Sequence, residues 1–200
     1  MKIPHFRRTR VFPSSAIVNL RKSETSDLRR LCGLRLLLVH SKERTTGMAE
    51  EVIIRDVVAT DFDQWLPLWE GYNIFYERVG PAAIPTEVTR TTWSRFFDSY
   101  EPIRALVAER HGQLLGLAHY IFHLNTTMLG PTCYLQDLFT SKEARGRGVG
   151  RALINRVYDQ ARAAGSTRVY WQTHETNVTA QTLYDKVAER SGFIVYRKNI

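Results

Sequence analysis

Tyr134-Leu135-Gln136-Asp137-Leu138-Phe139-Thr140 runs through Ser141–Ala144 into Arg145-Gly146-Arg147-Gly148-Val149-Gly150-Arg151, and this stretch decides the fold. Its first half belongs to an apolar, β-branched and aromatic run over 132–140 that reads as a strand. Its second half opens a helix that carries Leu153, Ile154, Val157, Tyr158, Ala161 and Ala164 on one face and stops at Gly165. A Gly-rich turn at a helix start binds anions: the first backbone N–H groups have no intrahelical partner, and the helix dipole presents its positive end. Gly148 and Gly150 let a pyrophosphate approach the backbone, and Arg145, Arg147 and Arg151 add charge-assisted donors. The dipole alone contributes about 0.3–1 kcal/mol, so amides and guanidinium groups must supply most of the phosphate affinity.

Two other nucleotide motifs fail on these residues. The Walker pattern needs Gly-Lys-Ser/Thr, which does not occur, and a G-x-G-x-x-G fingerprint starting at Gly146 would need glycine where Arg151 stands. An Arg-Gly RNA-binding tract belongs in a longer disordered segment than this one, which joins a strand to an amphipathic helix.

Upstream, Val52–Val58 reads as a first strand, with Thr60-Asp61 leading into a helix. That helix carries Trp65, Leu68, Trp69, Tyr72, Phe75 and Tyr76, with Pro67 and Gly71 expected to bend or divide it. A second helix is expected after Pro85, with Thr86 as cap and Val88, Trp93, Phe96 and Phe97 inward. Residues 103–110, His111-Gly112 and 113–124 read as a hairpin. Beyond Gly165, the expectation is a strand over 168–173, a helix over 177–190 and a last strand over 193–197. The order β-α-α-β-β-β-α-β-α-β makes a mixed sheet with helices on its faces.

The formal charge of +8 lies entirely in residues 1–47, which hold 11 Lys and Arg against three acids. Residues 48–200 carry 17 of each and are neutral, so nucleic acid is not an expected partner of that domain. The basic segment reads as a poorly ordered N-terminal extension: an upstream start, a targeting sequence or an arm for acidic partners, with no catalytic role. Cys32 and Cys133 are the two cysteines. With no Cys-x-x-Cys pair or Cys/His cluster, they imply a reducing, cytoplasmic setting and no metal. No apolar run is long enough to span a membrane.

Arg145-x-x-Gly148-x-Gly150 after the YLQDLFT strand resembles the coenzyme A signature of the GNAT acyltransferases. Asn177-x-x-Ala180-x-x-Leu183-Tyr184 followed by Gly192-Phe193 is similar to that family's second coenzyme A motif. The resemblance covers roughly 52–197, and the runs YLQDLFT, RVYW and TAQTLY look closest to the yeast histone-and-polyamine acetyltransferases and their bacterial relatives. It implies an α/β (α+β) fold whose mixed, mostly antiparallel central sheet of about six strands is flanked by helices. It also implies an N-acetyltransferase that moves an acetyl group from acetyl-CoA to a primary amine of a polyamine, an amino acid or a peptide lysine. A usual seventh strand has no place before Ile200, so either a partner subunit of a homodimer fills that edge or the substrate side is more open.

The resemblance places the acetyl donor along Leu138, Phe139 and Thr140 and in the loop from Arg145 through Gly146, Arg147, Gly148, Val149 and Gly150 to Arg151. The Leu138 amide would face the thioester oxygen as charge develops. Asn177 would contact the pantetheine arm, although a residue opening a helix is also a routine cap. Tyr184 would assist the departing sulfur. With a phenol near 10 and a thiol near 8.5, full proton transfer would cost roughly 2 kcal/mol, so hydrogen bonding to the thiolate is the expected role. A lysine-like amine costs about 4–5 kcal/mol to deprotonate at neutral pH, which calls for a base. Asp137 is the first choice, then Glu109, with His119 and His123 behind them. Trp65, Trp69, Tyr72, Tyr76 and Trp93, with Glu70 and Glu77, form either a wall for a cationic amine or ordinary core. The rival to catalysis is a silent coenzyme A-binding regulatory module.

Overall fold

Side chains that alternate along three long strands give each face of one sheet its own core. The computed structural model describes residues 51–200, so the expectations for residues 1–47 and Cys32 lie outside the described residues. The strands are β1 (Ile53–Asp56), β2 (Ile103–Arg110), β3 (Gln113–His123), β4 (Thr132–Thr140) and β5 (Val169–Tyr170). They lie in chain order across the sheet. The first four are antiparallel, and β5 runs parallel to β4. The helices are α1 (Phe62–Phe75), α2 (Thr86–Arg95), α3 (Val149–Ala163) and α4 (Val178–Tyr184).

On one face, Val149, Leu153, Ile154, Val157 and Ala161 of α3 pack on Leu106, Ala108, Leu115, Ala118, Cys133 and Leu135. On the other, Trp65, Leu68, Trp69 and Tyr72 of α1 and Phe96 after α2 cover Ala105, Val107, Leu114 and Leu117. The β2–β3 hairpin closes as expected, with His111 (φ 53°) and Gly112 (φ 76°) both left-handed, the conformation of a two-residue type I′ turn.

Several expectations are corrected. α1 continues through Pro67 and Gly71. Pro67 removes one hydrogen bond from a helix that packing on the sheet holds in place. Gly71 is there for space, since a Cβ would lie 2.8 Å from Phe139 Cζ. α2 is capped at Pro85 with no side-chain bond from Thr86, and Val88 and Phe97 are exposed. β5 spans two residues and α4 seven. Among the described residues the sheet therefore has five strands. Residues 193–197 form no strand, and Phe193, Ile194, Val195 and Tyr196 are exposed. A strand needs a ladder to pair with, and two residues of β5 offer little.

Candidate active site

The Gly-rich loop has the geometry its composition calls for. Gly146 (φ 73°) and Gly148 (φ 82°) are left-handed, and Gly148 is the N-cap of α3. A Cβ at either would meet nothing within 4 Å, so these glycines serve backbone conformation and leave open space above the loop. The first turn of α3 carries no acid, and Arg145, Arg147 and Arg151 are exposed around it. Arg145 also lies over Phe139, its Cζ 6.0 Å from the ring centroid. At Gly150 a Cβ would sit 3.3 Å from Leu183 Cδ2, which brings α4 close to the loop. An open left-handed cradle at the positive end of a 15-residue helix fits a pyrophosphate.

β4 separates from β5 next to this loop. The parallel pairing consists of Cys133 with Val169 and Tyr134 with Tyr170. On the β3 side the ladder continues to Thr140 opposite Gly116, and Ser141 N–H donates to Leu115 O at 2.8 Å. By alternation, Phe139 and Asp137 point their backbone groups at β3, whereas Leu138 and Thr140 point theirs to the side where β5 has ended. The Leu138 N–H thus faces the side of β4 away from β3.

Tyr184, the last residue of α4, stands edge-on to Trp171 with ring centroids 5.3 Å apart. Burial, helped by nearby Tyr76, pushes its phenol up to about 12. Asn177 caps α4: Oδ1 accepts from Ala180 N–H at 3.3 Å, and Nδ2 donates to Thr173 Oγ1 at 3.3 Å. Both polar ends of that side chain are engaged within the protein.

Asp137 reaches the opposite face through a bulge. His119 pairs with Asp137, but Tyr120 pairs with Leu135, so Gln136 is the extra residue. Cys133 and Leu135 pack under α3, and strict alternation would send Asp137 there too. The bulge turns it instead toward α1, where it is 7% exposed. Its Oδ2 lies 3.0 Å from His119 Nδ1, and the other ring nitrogen of His119 accepts from Trp65 Nε1–H at 3.0 Å. Tyr72 faces the same carboxylate. Burial first, then the Asp137 charge and the hydrogen bond to it, hold that phenol far above its ordinary range. Burial and Asp137 also raise Tyr76, while burial, Tyr170 and then Asp137 raise Tyr134.

The other candidates separate. Glu109 is bound to Arg55 Nε at 2.6 Å, and Arg55 also holds Asp61, so this acid belongs to a structural charge cluster. His123 Nε2 lies 3.1 Å from the Tyr170 hydroxyl at the exposed end of β3. Trp65 stacks on Trp69 (centroids 5.7 Å apart) and Trp93 tilts against Trp65 (4.8 Å) as part of the core, and Glu77 is exposed. Glu70 lines a separate cleft of about 450 Å³ between α1 and α2. The Trp65–His119 pair and the place of Tyr72 and Tyr134 beside Asp137 were not anticipated. Trp65 and His119 lie 54 residues apart, and no local pattern links them.

Residues 65–188 match the Acetyltransferase (GNAT) family. The chain belongs to the GNAT acetyltransferase family. It is 34% identical over 152 residues to a D-amino-acid N-acetyltransferase, HPA3, of Saccharomyces cerevisiae; the match spans 75% of this chain and 92% of the yeast protein. An uncharacterized N-acetyltransferase of Bacillus subtilis, YhfO, is 26% identical over 149 residues, or 74% of this chain and 97% of that protein. Among solved structures, the aminoglycoside acetyltransferase AAC(6')-Iy with a coenzyme A bisubstrate analogue superposes with a TM-score of 0.64 at 19% identity, covering 75% of this chain and 99% of the other. A ribosomal-protein-alanine N-acetyltransferase from Brucella melitensis gives 0.61 at 18% identity, covering 75% and 100%. These two likenesses are of fold. The chain is therefore an N-acetyltransferase, and the GNAT family uses acetyl-CoA.

Proposed function

We propose that this GNAT enzyme transfers the acetyl group of acetyl-CoA to the primary amine of a small molecule by direct attack in a ternary complex, with amino acids as the first class of acceptor. The observation that carries the reading is the bulge that turns Asp137, nearly buried, toward the phenols of Tyr72 and Tyr76 beside the open side of β4. The arriving ammonium gives a proton to an Asp137 carboxylate oxygen. Its freed lone pair forms the N–C bond while the C–S bond breaks, and the sulfur leaves with the bonding pair. The nitrogen then sheds its second proton to solvent. The Leu138 N–H stabilises negative charge on the carbonyl oxygen.

Tyr184 donates a hydrogen bond to the sulfur and keeps its proton. A phenol near 12 would lose about 5 kcal/mol on full transfer to a thiolate near 8.5, more than an unperturbed phenol would. Gly146, Gly148, Val149, Gly150 and the three arginines hold the pyrophosphate, and Phe139 and Thr140 line the donor's path beside them. Asn177 positions α4 through its cap and reaches the donor only through that helix.

The preference for amino acids is carried over from the name of the yeast relative. Arg78, whose Cζ lies 5.7 and 5.3 Å from the Tyr72 and Tyr76 ring centroids, supports it by placing a cation near the phenols for an α-carboxylate. The test is free-thiol release from acetyl-CoA with D- and L-amino acids, spermidine and a histone-tail peptide. Amino acids are expected to turn over fastest, and faster turnover of spermidine would overturn the acceptor class. Acetyl-CoA binding with no amine-dependent release would overturn the reaction.

A further inference from the structure

Resting on the reading of Asp137 as base, we propose that His119 is a positioning residue for the transfer: Trp65 fixes it in one tautomer, so that it holds the carboxylate by donating to it. The indole Nε1–H is a donor and has no acceptor site, so His119 Nε2, 3.0 Å away, must accept. The ring proton then sits on Nδ1, which faces Asp137 Oδ2 at 3.0 Å. Trp65 and His119 are fully buried. The His119 ring is enclosed by Phe96, Trp69 and Trp65 at centroid distances of 4.7, 5.4 and 5.8 Å, which holds the imidazole in place.

The consequence for a base is specific. A carboxylate held by neutral donors keeps its charge and its appetite for a proton, whereas an imidazolium against it would offset both. Protonating His119 Nε2 would set two N–H groups face to face in a site shielded from water, so Trp65 opposes that state. The groups that face Asp137 from the packed elements are Tyr72 on α1, Tyr76 at the C-cap of α1, His119 on β3 and Tyr134 on β4. Burial keeps the three phenols neutral, and Arg78 lies over the Tyr72 and Tyr76 rings. The array Trp65–His119–Asp137 thus links the core of the α1 face to the proposed reacting amine.

His119→Asn and His119→Leu share one side-chain skeleton. Asn can present an N–H where Nδ1 stands, and Leu cannot. A packing role at a fully buried site favours Leu, and a donor role favours Asn. With D-phenylalanine as acceptor, the Asn variant is expected to keep a kcat at least tenfold above that of the Leu variant, at equal acetyl-CoA affinity. Equal rates, or a faster Leu variant, overturn the proposal.

Side-chain ¹⁵N NMR of the unmodified protein tests the tautomer without any variant. At neutral pH His119 should carry its proton on Nδ1, and in Trp65→Phe the Nε2-protonated tautomer should appear beside it. A wild-type proton on Nε2 overturns the proposal. Asp137→Asn separates the two readings. If it keeps the wild-type rate, Asp137 is not the base and the positioning role falls with it, whatever the tautomer. If it is slow while the His119→Asn and His119→Leu rates coincide, the base stands and the positioning role alone fails.

Discussion

The two faces of the sheet are built from alternate residues of the same strands yet differ in chemistry. Under α3 the core is almost wholly aliphatic, with Leu106, Leu115, Leu153, Ile154 and Val157 at its centre. Under α1 the core is aromatic and threaded with buried polar groups, each given a partner: His119 and Asp137 hold each other, Trp69 Nε1 donates to Thr89 Oγ1 at 3.3 Å, and Asn73 Nδ2 donates to Trp69 O at 2.8 Å. A buried polar group costs free energy unless it is satisfied, so the second face relies on matched pairs from distant segments where the first relies on volume. One face holds α3 in place, and the other carries the groups proposed to serve the acceptor.

The sharpest way to break this division is at the donor loop. Gly148→Glu puts a carboxylate at the pyrophosphate position and a side chain on a left-handed backbone. Acetyl-CoA binding should vanish in calorimetry, while stability falls by only about 1–2 kcal/mol. Unchanged affinity in a folded variant would remove the loop from the donor site.

Next in size is Leu153→Ala on the aliphatic face. Denaturant unfolding should register a loss of about 2–5 kcal/mol, with kcat at low temperature close to wild type. A fall in kcat without a fall in stability would show that this face takes part in the chemistry.

Tyr184→Phe, at the junction of the two sites, keeps the ring and removes the hydroxyl. The maximal rate should drop about ten- to a hundredfold at constant acetyl-CoA affinity, the loss of roughly 1.5–3 kcal/mol from a hydrogen bond to a developing charge. A chemistry-limited rate within twofold of wild type would reduce Tyr184 to packing against Trp171.

The smallest effect lies at the sheet edge, away from both cores. Arg55 holds Asp61 at 2.6 and 2.9 Å and, with the Val58 N–H, keeps that carboxyl below its usual range. A depressed folded-state value means that the stabilisation is present above the unfolded value of 3.8 and is lost as the pH falls through the folded one. Asp61→Asn should therefore cost about 1 kcal/mol at pH 7, because Arg55 is partly exposed, and its unfolding curve should converge on wild type in acid. A difference that persists at the lowest pH would point to a packing change instead.

What the sequence makes legible is local. The strand into Thr140, the Gly-rich turn at the start of α3, the His111-Gly112 turn and the amphipathic face of α3 each rest on residues within one turn or one helix, and all are found in place. The bulge at Gln136 is a mismatch between two strands. Nothing in YLQDLFT states that Asp137 changes face there, although its choice as base depends on it. The Trp65–His119 bond and the space Gly71 leaves for Phe139 are likewise encounters between distant segments. Pro67 and the 193–197 run mislead for the converse reason. Local propensity would divide a helix that tertiary packing keeps whole, and would make a strand where no ladder receives it.

The chain has four tryptophans, and the fold divides them three to one. Trp65 and Trp69 lie nearly parallel, 12° apart, with Trp93 beside Trp65 on the α1 face. Trp171 stands apart from them, against Tyr184 and Tyr158. Coupled indole transitions in the first group contribute a near-ultraviolet circular dichroism signal from the α1 face. Emission from Trp171, summed with that of the other three, adds a contribution from the α3 face, so circular dichroism and fluorescence weight the two faces of the sheet differently.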